Sequence, residues 1–278
     1  MIKKFNWFTT AVVVTSLCAA TSAYATNGYY THGNGTKNKA MAGSGIAIPE
    51  DAIDMTNNPA VAPFVGDQLI VGAAIFAPTR KYETSESLAN GGCSPMGCAF
   101  TIGPNKIKSD NDAFVIPHIA KSWQLSNGSA WGLSFYGRGG MDTEWNGGTA
   151  TFDRGQGDGP QAYPGTYGAG KAGVNLNQAF LDVTWAKQVN DKFSFGVSAV
   201  LVAQTFKAFG ISSFATFTET YVEGVANGQP VFPDSLSDNG RDWSFGAGFK
   251  VGFHAPLSDK FSLGLMYQYA QLGEAGHA

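Results

Sequence analysis

Residues that could do chemistry are sparse in this chain and mostly isolated. The four histidines, His32, His118, His254 and His277, are scattered, and none stands at ligand spacing from a cysteine. A structural zinc site takes four ligands, so Cys93 and Cys98, spaced C-x4-C in a stretch rich in Gly, Ser and Pro, lack two partners. In an oxidising compartment they most simply close a small disulfide loop. Nucleophilic catalysis needs a serine, a histidine and an orienting group in contact, and no G-x-S-x-G elbow occurs, so His118 beside Pro117 reads as structural. Gly33-x-Gly35 and Gly43-x-Gly45 extend to neither phosphate-cradling motif and follow no strand. Arg138 and Lys250 remain: each can meet a substrate carboxylate, though ordinary ion pairing within the protein has the stronger claim. No catalytic residue, metal or cofactor is expected.

Composition narrows the class. With 44% apolar, 13% aromatic and only 14% charged residues, the 278-residue chain has the makings of a large folded domain rather than a disordered one. A net charge of −3 without any basic run leaves nothing to grip a phosphate backbone, so nucleic acid is excluded as a partner. Residues 1–25 form an export signal: Lys3 and Lys4, an apolar core around Ala11-Val12-Val13-Val14, then the small-x-small site Ala23-Tyr24-Ala25. Leu17 before Cys18 argues against a lipid anchor, because that processing needs a small residue there.

The elements that must position any function are strands. Beyond the signal no run of 18 apolar residues occurs, and the dominant pattern has period two. In 242–254, Trp243, Phe245, Ala247, Phe249, Val251 and Phe253 alternate with Ser244, Gly246, Gly248, Lys250, Gly252 and His254. Similar patterns at 68–77, 113–123, 130–137, 177–189, 192–199 and 260–270 make seven candidate strands. Soluble sandwiches alternate too, but here the connections alternate as well. Short turns at 126–129, 190–191 and 256–259 follow the second, fourth and sixth strands, and long segments, 78–112, 141–174 and 207–241, follow the others. That order is expected of an all-β, antiparallel transmembrane barrel with tight periplasmic turns and long outward loops. Trp123, Trp131, Trp185, Trp243 and Tyr269 suit its interfacial girdles. Bacterial barrels have even strand numbers, so residues 67–278 are expected to supply roughly half of one, with an odd-stranded or oligomeric barrel as the alternative.

Residues 26–66 are Gly/Ala-rich and precede every strand. Met41, Ile46, Ile48, Ile53 and Met55 give them apolar anchors that a tail does not need, so they read as a plug. A short helix is expected inside it, opened by Pro49, Glu50 and Asp51 and closed by Pro59.

The motifs Asn27-Gly28-Tyr29, His32-Gly33-x-Gly35, Met41-Ala42-Gly43-Ser44-Gly45, Asp51-Ala52 and Asn58-Pro59-Ala60 resemble the N-terminal hatch of the FadL family, outer-membrane transporters of long-chain fatty acids and other hydrophobic compounds. The resemblance implies a fourteen-stranded monomeric barrel, of which this chain holds the hatch and first seven strands, set among outer-membrane lipid and lipopolysaccharide. It further implies that a hydrophobic solute is caught among the outward loops, enters the barrel, and leaves sideways through a wall gap at a kinked third strand once the hatch shifts. Asn58, Pro59, Ala60, Asn27 and Gly28 would then serve the hatch. Gly139 and Gly140, after Gly137, would mark the kink, since glycine inside a strand often signals a bulge. Phe214, Phe217, Tyr221 and Val225, with Ile211, recur every three or four residues as on one face of a helix and are the expected substrate contacts; loop packing explains them equally well. The alternatives are a loop-displaying adhesin, which needs no plug, and an outer-membrane lipase, which lacks its elbow.

Overall fold

The computed structural model describes residues 30–85, 100–153, 157–233 and 236–273, and the backbone alone of 93–94 and 97–98. The export signal, Asn27 and Gly28 lie outside the described residues. Seven strands form one antiparallel sheet in which sequence neighbours are spatial neighbours: β1 (Gln68–Phe76), β2 (Phe114–Gln124), β3 (Ser129–Trp145), β4 (Ala172–Asn190), β5 (Phe193–Phe209), β6 (Asp242–Ser258) and β7 (Phe261–Leu272). β1 and β7 each pair within this sheet on one side only.

The sheet is apolar outside and polar inside, the inverse of a soluble protein. Phe245, Phe249 and Phe253 of β6 are exposed on one face, whereas Ser244, Lys250 and His254 are buried on the other. Neighbouring strands repeat this: Leu133 and Phe135 against Ser134 and Tyr136 on β3, Val183 against Asp182 and Thr184 on β4, Val197 and Leu201 against Ser198 and Val200 on β5. Register preserves the faces, since Phe195 pairs with Phe253 and Ser198 with Lys250. A row of exposed Leu, Val and Phe is stable only where its surroundings are themselves apolar.

β3, β4 and β5 run further outward than their apolar alternation, because polar ladders such as Asn175 opposite Asp142 continue the pairing. The outward connections are correspondingly shorter than 141–174 and 207–241. The first holds the antiparallel pair Lys81–Thr84 with Asn105–Lys108, and a minimal hairpin in which Cys93 and Cys98 are register partners. Their side chains, and so the expected disulfide, lie outside the described residues.

The leading segment lies against the concave face. It comprises α1 (Thr36–Ala40) and three 3-10 turns, Gly45–Ala47, Ala52–Thr56 and Pro59–Phe64. The expected opening of its helix is corrected in two places. Asp51 is the N-cap, in a reciprocal capping box with Asp54, so Pro49 and Glu50 precede the turn instead of lying within it, and Pro59 begins the last turn instead of ending the one before it. Ile53 and Met55 are fully buried against Phe180, Val200 and Tyr136 in the main core, while Ile48 is exposed.

Candidate functional site

The site begins where two strands part. β2 and β3 pair from Gln124–Ala130 to His118–Tyr136 and no further, although β2 stays paired with β1 out to Phe114 and β3 with β4 out to Trp145. Two local features account for this. Pro117 has no N–H for a ladder bond, and β3 bulges at Arg138, because Gly137 and Gly139 oppose the adjacent residues Ala179 and Gln178. Gly139 and Gly140 follow that bulge directly.

The vacated edge of β3 is taken by the start of the leading segment. Tyr30 forms an antiparallel bridge to Gly139, and the Thr31 amide donates to the Arg138 carbonyl at 2.9 Å. The Arg138 guanidinium lies over the Tyr30 ring, 5.3 Å from its centroid, and Nη1 donates to Gln268 Oε1 of β7 at 2.8 Å. Beside these contacts is a cavity of about 680 Å³ lined by residues from both faces of the sheet. Its lining includes Lys39 of the leading segment, the buried inward residues Leu176 and Gln178, and Ile75, Val115 and Phe135 of the exposed apolar face. A Cβ on Gly137 would stand 3.2 Å from Ile116 Cγ2, so the glycine keeps that side of the gap wide. Burial without a carboxylate partner pulls the Lys39 ammonium below its ordinary pKa range.

The plug is anchored at two places. At the first, Asn58, wholly buried, donates from Nδ2 to the carbonyls of Ile46 (2.9 Å) and Phe253 of β6 (3.0 Å), while its Oδ1 accepts from the Ala60 amide at 3.0 Å. Ser194 Oγ of β5 donates to the Ala60 carbonyl at 2.8 Å. Pro59 sits so close to β5 that a Cβ on Gly196 would fall 2.5 Å from its carbonyl carbon. At the second, Lys250 Nζ of β6 donates to Asp182 Oδ2 of β4 (2.5 Å), to Tyr136 Oη of β3 (2.8 Å) and to the Thr56 carbonyl of the plug (2.8 Å). Lys250 is therefore committed to an internal pair. Neither Asp182 nor Tyr136 stands out by motif; the one signal for the pair is a carboxylate at an inward position of an otherwise uncharged alternation.

Among the outward connections, the expected single helical stripe is split. Residues Ser212–Phe217 form a 3-10 turn and α2 (Glu219–Ala226) starts afresh, because the Thr218 hydroxyl caps it by accepting from the Tyr221 amide. Phe214 packs on Phe100 and Tyr167 from the other two connections, at 5.0 and 5.3 Å. Tyr221 packs on Phe232 at 5.0 Å, while Phe217 and Val225 stay exposed. Of the four residues, Phe214 thus ties the three connections together, Tyr221 packs within its own connection, and Phe217 and Val225 stay exposed.

No curated protein matches the chain. Solved structures share its fold. The Ralstonia pickettii toluene transporter TbuX superposes with a TM-score of 0.56 at 18% identity over 87% of this chain and 61% of its own length. The CymD monoaromatic hydrocarbon channel gives 0.51 at 15% identity over 91% and 56%, and a Pseudomonas aeruginosa FadL homologue 0.51 at 17% identity over 88% and 54%. The chain thus spans somewhat more than half the length of these transporters. Residues 12–273 match the outer membrane protein transport family described as OMPP1/FadL/TodX. With its plugged antiparallel sheet, apolar outside and polar within, the chain belongs to that family of outer-membrane transport proteins.

Proposed function

We propose that this chain takes part in passive uptake of a hydrophobic solute across the outer membrane, without enzymatic chemistry, and that the solute leaves sideways between β2 and β3. What carries the reading is the cavity that joins plug-side residues to Ile75, Val115 and Phe135 on the lipid-facing side. An apolar molecule leaving there passes from protein to hydrocarbon without meeting water, which is where its transfer free energy is most favourable. Phe217 and Val225 offer a first outward contact, Gly139 and Gly140 the bend that parts the strands, and Asn58-Pro59-Ala60 the seat that holds the plug during a shift. Residues 1–25 act as a cleaved export signal, and the complete barrel works as a monomer.

A fatty acid is favoured over a neutral hydrocarbon by the cations at the cavity. Lys39 has no carboxylate partner among the described residues, and Arg138, which is also within electrostatic reach of Asp182, donates to the neutral Gln268 and lies over an aromatic face. Either can meet a carboxylate head while the tail points to Val115 and Phe135.

The test is uptake of radiolabelled long-chain fatty acid and of radiolabelled toluene by cells expressing the full-length gene, with the gap closed by a disulfide from Ile116→Cys and Gly137→Cys. Closure abolishes uptake and reduction restores it. Uptake unaffected by the cross-link, or by loss of the protein altogether, refutes the proposal.

A further inference from the structure

A second cavity, of about 470 Å³, has different chemistry and a different position. It lies on the outward face of the strand extensions, just beyond the apolar belt. Leu176 and Gln178 of β4 are buried on the inner face, so Asn175 stands on the outer one, with its register partners Asp142 and Lys207. Trp243, exposed on the same outer face, pairs with Thr205, and Arg241 lies two residues further out along the chain. Tryptophan on a lipid-facing strand settles at headgroup depth. The side chains immediately beyond it therefore stand among the headgroups themselves.

Two cations in this cleft have no anionic partner among the described residues. Arg241 Nη1 donates to Asn175 Oδ1 at 2.5 Å and to Thr205 Oγ1 at 2.9 Å, both neutral. Lys207 Nζ rests over the Phe209 ring, 5.3 Å from its centroid, with Asn175 directly across the ladder. Three carboxylates also line the cleft, and each has partners other than Lys207 and Arg241. Asp142 accepts from the Asn111 and Asn175 amides, Glu144 pairs with Lys171 at 2.6 Å, and Asp238 Oδ2 accepts from the Gly210 amide and the Ser237 hydroxyl.

We infer that Lys207 and Arg241 form a binding site for the phosphorylated headgroup of an outer-leaflet glycolipid. A phosphate placed between them gains two charge-assisted contacts while its acyl chains lie along Trp243 and Phe245, which stack at 6.1 Å and extend the exposed apolar face. This site faces the membrane and is independent of the transport reading.

Native mass spectrometry of the full chain in detergent, titrated with bisphosphorylated lipid A, with the same lipid A after dephosphorylation, and with inorganic phosphate, tests it. Bisphosphorylated lipid A is retained, and Lys207→Gln and Arg241→Gln each lower its occupancy roughly fivefold, the effect of one basic residue at an anionic surface. Lys81→Gln, in the first outward connection, leaves it unchanged. The Lys207 ammonium makes no hydrogen bond among the described residues and rests only on the Phe209 ring, so its variant reports on the site even where Arg241→Gln disturbs folding. Equal retention of dephosphorylated lipid A, displacement by inorganic phosphate at equal concentration, or unaltered retention in Lys207→Gln overturns the inference.

Discussion

Lys250 Nζ lies 2.5 Å from Asp182 Oδ2, both side chains completely buried, and the same ammonium holds the Thr56 carbonyl of the plug. The pair is thus a joint between three wall strands and the segment they enclose. Removing one partner leaves a buried charge alone, at a cost of about 3–5 kcal/mol. Lys250→Met and Asp182→Asn are each expected to lower the midpoint of denaturant unfolding, and the double variant Lys250→Met with Asp182→Leu to recover most of the loss. Equal stability of single variants and wild type would show the joint to be idle.

Asn58 makes the other joint through three hydrogen bonds. Asn58→Ala strands the carbonyls of Ile46 and Phe253 and is expected to destabilise the plug by about 1–3 kcal/mol. Hydrogen exchange over residues 45–64 should accelerate, while β4 and β5 keep their protection. Unchanged exchange would mean that Pro59 packing alone seats the turn.

Gly196 faces the backbone of Pro59 and Ala60, where an added methyl has no side chain to push aside. Gly196→Ala is expected to cost about 1–3 kcal/mol by overpacking. Gly137→Ala, whose nearest neighbour is the Cγ2 methyl of Ile116 at 3.2 Å with no backbone atom closer than 3.9 Å, should cost much less and instead narrow the gap. Thermal unfolding separates the two, and a Gly196 variant as stable as wild type contradicts the close contact.

Burial raises the Asp54 carboxyl above its ordinary pKa of 3.8, an effect partly offset by the Asp51 and Glu50 amides that donate to it. An acid whose pKa is raised on folding contributes stability that is complete below 3.8 and is lost as pH rises through the folded value. Plug stability is therefore expected to fall with rising pH across that window. Asp54→Asn, which keeps an acceptor for the cap, should flatten the dependence; an unchanged slope would assign it to another group.

The sheet was legible because its surroundings impose period two: each strand has lipid on one side and plug on the other, so Phe245, Phe249 and Phe253 alternate with Ser244, Lys250 and His254 in plain sight. Connection lengths gave the up-and-down order, and the motif around Asn58 gave the family. Those are local properties, written over spans of a few residues. The parting of β2 and β3 was not legible, since it depends on Pro117, the bulge at Arg138 and the docking of Tyr30, which lie far apart in sequence and meet only on folding. The same holds for the partner of Lys250. A cation at an inward position says that a counter-charge is needed, but whether it comes from a solute or from Asp182, 68 residues away, was decided by strand register alone.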